Sequence, residues 1–338
     1  MPNLRATSPH WQSMVAPYAR PDLRQALWQL ANSLLPFLAM WPIMFWAGRI
    51  SYWLVLPLAL IAGAFWIRTF IIFHDCCHGS YFKSRKANEA VGFILGILTM
   101  TPFHQWRHDH AIHHATAGNI DKRYTGDVPT MTVKEYLAAP WWKKAGYRIM
   151  RYPLFLFTIG ATAMFTLLHR IPPRGAGKRE VWSVILTDLA LFALLGGLGL
   201  LVGWKALLIV GLAVVVPATA AGVWLFYVQH QFEGVYWETR DRWNFARAGL
   251  DGSSFYALPR VLQWVTGNIG FHHIHHLSPK VPSYRLEACH KANPALQVKP
   301  LSILQSLKGV RLHLIDDTTR QLVGWDVLKK PGQVAPLA

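Results

Sequence analysis

Histidines at helical spacing are the first chemistry this sequence offers. His110, His113 and His114 stand at i, i+3 and i+4 within WRHDHAIHHATAGN (106–119), so on a helix their imidazoles share one face. The spacing returns at His272, His275 and His276 in FHHIHHLSP. A third cluster, HDCCH, sets His74 and His78 at i, i+4. With 16 histidines in 338 residues, chance would supply on the order of a few hundredths of one H-x-x-H-H match. A lone histidine is usually a surface or capping residue, but that does not account for eight at ligand spacing. His230, in YVQHQFEG, adds a ninth candidate. Neutral imidazole suits iron, zinc, copper or nickel. Nine nitrogens exceed what one tetrahedral zinc accepts. They fit two metals, each with a position left for a small molecule. Asp75, Asp109, Asp121 and Asp127 crowd the same regions. Carboxylates commonly orient metal-bound imidazoles through the distal N–H, the competing reading being solvated loop acids. His104, His108 and His273 lie near the boxes but off their spacing, and read as outer neighbours or surface residues. His10, His169, His290 and His313 read as surface residues.

The elements that must position these boxes are apolar. The chain is 52% hydrophobic and 15% charged, too apolar for an ordinary soluble domain. A first run covers about 31–47. A second covers 51–73, whose 23 residues would reach ~34 Å as a helix, enough to cross a bilayer. His74 and His78 follow at once, which sets them at the membrane surface. The runs at 90–103 and 153–168 are short for spans, whereas 181–202 and 206–227, separated only by Gly203-Trp204-Lys205, read as a helical hairpin. Ligands of one site must emerge on one side, so the chain crosses an even number of times between the second and third boxes. Three runs lie there. The shortest, 153–168, is followed by Arg170, Arg174, Lys178 and Arg179, and positive residues stay cytoplasmic. That run is therefore interfacial or re-entrant. Four spans remain, with both termini and all boxes in the cytoplasm, and only Arg49 and Lys205 in the outer loops.

The expected fold is an all-α integral membrane protein. It has about four transmembrane helices, further interfacial or re-entrant helices, and a cytoplasmic cap carrying the boxes. Residues 1–30 form a polar N-terminal segment, 31–285 the membrane domain and 286–338 a C-terminal segment. That segment holds a helix near 284–291 (beginning just before it) and a possible hairpin over 310–323 turning at Asp316-Asp317-Thr318. Arg68, inside the second run, reads as a snorkelling side chain rather than the partner of a carboxylate near the metals. Asp188, inside the third span, reads as bonded to Thr187 or a neighbouring helix. Three cysteines, Cys76, Cys77 and Cys289, offer no framework of disulfides and imply a reducing compartment. No removable signal peptide is expected. The net charge of +17 sorts by loop, which points to a membrane rather than to nucleic acid. Two redox metals beside a membrane suggest oxygen chemistry on a lipid.

The three-box pattern resembles the membrane fatty acid desaturase superfamily, and within it the bacterial and plastid-like acyl-lipid desaturases of the delta-12 type. The residues that carry the resemblance are HDCCHGS (74–80), HAIHHATAGNID (110–121), GDVPTMTVKEY (126–136), VQHQFEGVYW (228–237) and GNIGFHHIHHLSPKVPSYRL (267–286). It extends from about residue 30 to 325. The resemblance implies a non-haem di-iron centre, with ligand roles for His74, His78, His110, His113, His114, His272, His275 and His276, and with His230 as the extra histidine beyond the last span. It implies O2-dependent insertion of a cis double bond into a membrane-lipid acyl chain, on the cytoplasmic side of a bacterial inner membrane. No fused cytochrome b5 domain is read here, so a ferredoxin-like or other external electron donor is expected. Cys77 departs from the family, which usually has Gly there, and could narrow the site or alter its redox behaviour. An unactivated methylene needs accurate positioning, so a narrow apolar tunnel is expected. A related di-iron hydroxylase or carotenoid ketolase is the nearest rival. A metal transporter would want its ligands at mid-membrane, a zinc protease needs H-E-x-x-H, and a carboxylate di-iron bundle needs paired E-x-x-H motifs, of which only Glu287 to His290 appears.

Overall fold

The computed structural model describes residues 11–329; His10 lies outside them. A short helix, α1 (Trp11–Val15), precedes α2 (Leu23–Ile50), α3 (Tyr52–His78), α4 (Arg85–Leu98) and α5 (Phe103–Thr116). Then come β1 (Met131–Thr132), α6 (Val133–Ala138) and α7 (Trp141–Met150), and a π-helical stretch, Phe155–Gly160, that runs into α8 (Ala161–Thr166). After α9 (Lys178–Val202) and α10 (Trp204–His230), the chain forms α11 (Phe245–Leu250), β2 (Phe255–Tyr256), α12 (Arg260–Val265), α13 (His272–Leu277) and α14 (Ser283–Ala292). It closes with β3 (Pro300–Leu301), α15 (Ile303–Ser306), β4 (Leu314–Ile315) and β5 (Leu322–Val323).

Four helices, α2, α3, α9 and α10, are long and apolar enough to cross a membrane. Each exceeds the apolar run seen in the sequence. The α2 helix begins at Leu23 rather than near 31, because the Asp22 carboxylate accepts the Gln25 N–H and caps the first turn. The α3 helix continues past Phe73 to His78 and stops at Gly79, whose φ of 61° suits glycine. Box one therefore rides on the last turn of a spanning helix. The two hairpin tips are tight: Ser51 alone joins α2 to α3, and Gly203, at φ 86°, joins α9 to α10. Val55 beside one tip and Val210 and Val214 beside the other share one core cluster. Both tips therefore lie at the same end, opposite the histidines.

The short α4 packs on α3 through glycines. A Cβ at Gly96 would stand 2.5 Å from the Thr101 carbonyl oxygen, and one at Gly92 would overlap the Phe103 ring. This close approach seats the start of α5. The segment expected to be interfacial or re-entrant is bent by 74° from α7. It starts with Phe157 against Tyr227, near the end of α10, and descends until Thr162 meets Thr219. It returns to bond Arg170 to the Met100 carbonyl and to Asp188. Both of its ends thus lie toward the histidine-bearing end of the bundle, and α9 starts there beside α5, with Ser183 Oγ accepting the His104 N–H.

The expectations for Arg68, His290 and His313 change, and that for Asp188 is made specific. Arg68 does not snorkel and meets no carboxylate; it is 5% exposed, bonds Asn32 Oδ1 and the Trp264 carbonyl, and lies 4.0 Å above the Trp264 ring. Asp188 meets the second of its two expected partners: it bonds not Thr187 but Arg170 at 2.6 Å, on the neighbouring helical segment that follows α8. His290 and His313 are buried, not superficial: His290 bonds His273 at 3.1 Å between Phe255 and Phe271, and His313 stacks on Trp325. His169 is half-buried against Phe165. The hairpin near the C-terminus is present as β4 and β5, antiparallel, with Asp316 Oδ1 accepting the Thr318 and Thr319 N–H groups in the turn. Strand β4 also pairs in parallel with β1, and β2 with β3, which ties the late chain to the cap.

Candidate metal centre

Four elements deliver the imidazoles. The α3 and α10 helices each end on them, at His74 and His78 and at His230. The α5 helix carries the second box through its last two turns. The third box sits on α13, a helix of six residues that could not hold its shape alone. It is fixed by burial: Ile274 and Leu277 are 0% and 1% exposed and pack with Phe271, Leu286 and Cys289.

The nine histidines converge into two groups. His74, His78, His110, His114 and His275 form one, and His113, His230, His272 and His276 form the other, with the ligand nitrogens of each group within 4.8 Å of one another. The H-x-x-H-H spacing is divided between them. On α5 the i and i+4 residues, His110 and His114, enter the first group and His113 the second. On α13 the i and i+4 residues, His272 and His276, enter the second and His275 the first. The groups adjoin, with the His114 and His276 rings stacked 4.1 Å apart.

The proton positions show why these sites fit cations. His113 Nδ1 faces Asp127 Oδ1 at 2.5 Å and His230 Nδ1 faces the Gly252 carbonyl at 3.2 Å. Both Nδ1 atoms face acceptors, so both carry the proton and both Nε2 atoms present lone pairs. Yet those Nε2 atoms stand 3.2 Å apart, buried. Two lone pairs facing each other at that distance repel unless a cation lies between them. In the first group His74 Nδ1 donates to Asp75 Oδ1 at 3.1 Å, and the buried Nε2 atoms of His74 and His78 have no bonding partner. Burial, and secondly the neighbouring histidines, hold the pKa values of His110, His114, His272, His275 and His276 well below the ordinary imidazole value. All five are therefore neutral and ready to ligate.

The acids separate into two kinds. Asp75 and Asp127 bond imidazoles, and Asp75 is itself held by the Ser283 N–H at 2.6 Å. Asp109 accepts from Gln105 and Asp121 from the Arg240 N–H; among the described residues neither bonds a histidine. His108 is exposed, His104 is half-buried, and His273 turns away to His290. Cys77 is buried with its sulfur 3.9 Å from the Phe103 carbonyl oxygen, on the side packed with Phe73 and Phe103. All three cysteines are free. Three contributors escaped the sequence reading. Trp106 stacks on His110 at 4.2 Å, a contact its i−4 position could have disclosed. The Gly252 carbonyl and the Ser283 N–H arrive from distant loops and leave no local signal.

A bundle of apolar helices that presents two all-imidazole groups able to hold metal at one end defines a membrane protein of the histidine-box type. The chain belongs to the fatty acid desaturase family, whose model, described as "Fatty acid desaturase", matches residues 51–302. It is thus an oxidoreductase of lipid metabolism. It is 43% identical to a fatty acid desaturase of Bacillus subtilis over 93% of this chain and 90% of that protein. It is 29% identical to a Synechocystis sn-1 acyl-lipid omega-3 desaturase (ferredoxin), over 75% of this chain and 70% of the relative. It is 27% identical to an sn-1 oleoyl-lipid 12-desaturase of Anabaena variabilis, over 73% and 71% of the two chains.

Proposed function

We propose that this chain is an O2-dependent acyl-lipid desaturase whose two imidazole groups hold a pair of non-haem irons. The observation that carries the reading is the division of nine histidines, eight buried and His78 half-buried, into two adjoining groups, with no carboxylate in either among the described residues. The nearest ring nitrogens within the groups stand 3.0–3.2 Å apart, and all-imidazole donors of this kind would suit iron. The bound pair would supply O2 reduction coupled to removal of two hydrogens from adjacent methylenes. The balance is –CH2–CH2– plus O2, two electrons and two protons giving –CH=CH– and two waters.

The protein's part is to hold, orient and exclude. Asp75, Asp127 and the Gly252 carbonyl fix the ring orientations of His74, His113 and His230. Trp66, Phe70, Phe73, Trp106 and Phe165 interlock on the membrane side of the metals, with centroids 5.2–5.9 Å apart, and form an apolar floor that keeps water from the reacting carbons. No side chain is needed as a general acid or base on an unactivated methylene. The lipid acyl chain is the substrate. A ferredoxin-like carrier is the electron donor, drawn by a chain of net charge +17. The histidine end faces the cytoplasm, since Lys83, Arg85, Lys86, Arg174, Lys178 and Arg179 flank it while Arg49 and Lys205 flank the far tips.

The test is expression in a host without polyunsaturated lipids, followed by fatty-acid profiling and iron analysis of the purified protein. A new double bond that disappears in His110→Ala and His276→Ala is expected. A hydroxylated or ketonic product from the wild type would instead assign it to the related oxygenases, and an unchanged product in the variants would overturn the metal assignment.

A further inference from the structure

A cavity of about 730 Å³ opens away from the histidines, between the first turns of α2, the middle of α3, α12 and α14. Trp28 on α2 lines it, and Val261 on α12 follows the lining residue Arg260; they are 70% and 72% exposed, as expected of side chains that rest in lipid. Its charge is unbalanced. Arg68 and Arg260 line it, and among the described residues neither stands within ion-pair distance of a carboxylate. Positions 1–10 and 330–338 add no Asp or Glu. Glu287, the acid in the lining, is already paired with Lys291 at 2.6 Å.

Burying a guanidinium without an anion is costly, and Arg68 is 5% exposed. Its bonds to Asn32 and Trp264 use neutral acceptors only. They occupy three of the five N–H donors an arginine carries. The lining also holds two buried amide oxygens, of Gln29 and Gln263, that have no donor among the described residues. The complementary ligand carries a phosphate together with hydroxyl or ammonium donors, and it reaches the site along a lipid boundary.

We propose that this cavity holds the headgroup of a membrane glycerophospholipid, its phosphate on Arg68 and Arg260 and its donors on Gln29 and Gln263. The inference rests on the membrane reading above and extends it to a lipid-recognition site. On α3, Arg68 precedes His74 by six residues, about 9 Å of helix, so a lipid held here has its acyl chains beside the metal floor.

The test uses the full chain, metal-loaded and purified in dodecyl maltoside, with radiolabelled dioleoyl phosphatidylglycerol as the probe. Saturable binding is expected, weakened about tenfold in Arg260→Gln, the loss of one charge-assisted phosphate contact. Arg68→Gln should weaken it at least as far. Arg260 is exposed, and among the described residues its side chain has no hydrogen bond or ion pair, so its variant remains decisive if Arg68→Gln does not fold. Lys205→Gln, at the far tip, should bind as the wild type does. Dioleoylglycerol, which lacks the phosphate, should bind at least tenfold more weakly, and millimolar inorganic phosphate should not displace the lipid. Equal binding of dioleoylglycerol, unchanged binding by Arg260→Gln, or displacement by inorganic phosphate would overturn the proposal. Binding needs no turnover, so the two readings fail separately. A protein that binds as described yet forms no double bond counts against the desaturase reading alone.

Discussion

The bond between His113 and Asp127 offers the sharpest test of the two-metal arrangement. Asp127 Oδ1 stands 2.5 Å from His113 Nδ1, with side-chain exposures of 0% for the histidine and 8% for the acid. Little solvent screens the pair, so the carboxylate charge acts on the ring at full strength. It fixes the Nδ1–H tautomer and so leaves the lone pair on the Nε2 that faces His230 and His276. The substitution Asp127→Asn keeps the shape and removes the charge. Loss of such an outer partner typically costs 10–100-fold in metal affinity, about 1.4–2.7 kcal/mol. The cost should fall on one group only, since His113 belongs to the four-histidine group and Asp127 touches none of the other five rings. The assay is iron content by mass spectrometry after dialysis against graded chelator. Wild type should hold two irons to a concentration at which Asp127→Asn holds about one. Asp75→Asn should also lose one iron, through His74 in the other group. Asp109→Asn and Asp121→Asn should match wild type. The reasoning fails if Asp127→Asn releases both irons together, or if Asp109→Asn behaves like it.

Three further outcomes are expected. His113→Ala should lose its iron more readily than His110→Ala, because it leaves three imidazoles in its group where the latter leaves four; iron content read alongside product yield checks this, with double-bond formation abolished in both. Arg170→Met should lower thermal stability in detergent by about 3–5 kcal/mol, because Asp188, 16% exposed, is left without its cation. Adding Asp188→Leu should restore most of that loss, and a double variant as unstable as the single one would show that the pair matters for another reason. Gly92→Ala should destabilise by about 1–3 kcal/mol through overlap with the Phe103 ring, while Gly211→Ala, whose Cβ meets nothing within 4 Å, should melt as wild type does.

What could be read from the sequence is what local spacing encodes. Imidazoles at i, i+3 and i+4 announce themselves because helix geometry alone puts them on one face, and all nine lie in the two groups. Apolar runs announce the bundle for a similar reason. The ends of the helices were less legible, since Asp22 and Gly79 set them by capping, outside the apolar run. Groups whose partners come from far away were misread. Arg68 finds its carbonyl 196 residues later, at Trp264. His313 is buried by Trp325, and His290 by Phe255 and His273. Nothing near these residues in sequence discloses those contacts. The acids show the same divide: four lay close to the boxes, yet only Asp75 and Asp127 point at rings, because direction depends on the loops that follow.

The crossing of the boxes has a mechanical consequence. Neither α5 nor α13 serves a single group; each gives two rings to one and one ring to the other, in opposite senses. A shift of either helix along its axis would therefore pull at both sites at once, and a rotation would favour one only by spoiling the other. The remaining ligands, on the ends of α3 and α10, anchor one group each. The spanning helices thus set the position of each histidine group, while the two shorter helices fix the spacing between the groups. That division explains why six-residue α13 is packed so tightly, with Ile274 at 0% exposure. A helix of that length has too little hydrogen bonding of its own to resist displacement. Its apolar side chains must supply the rigidity that would keep two bound cations, which repel each other, at one working separation.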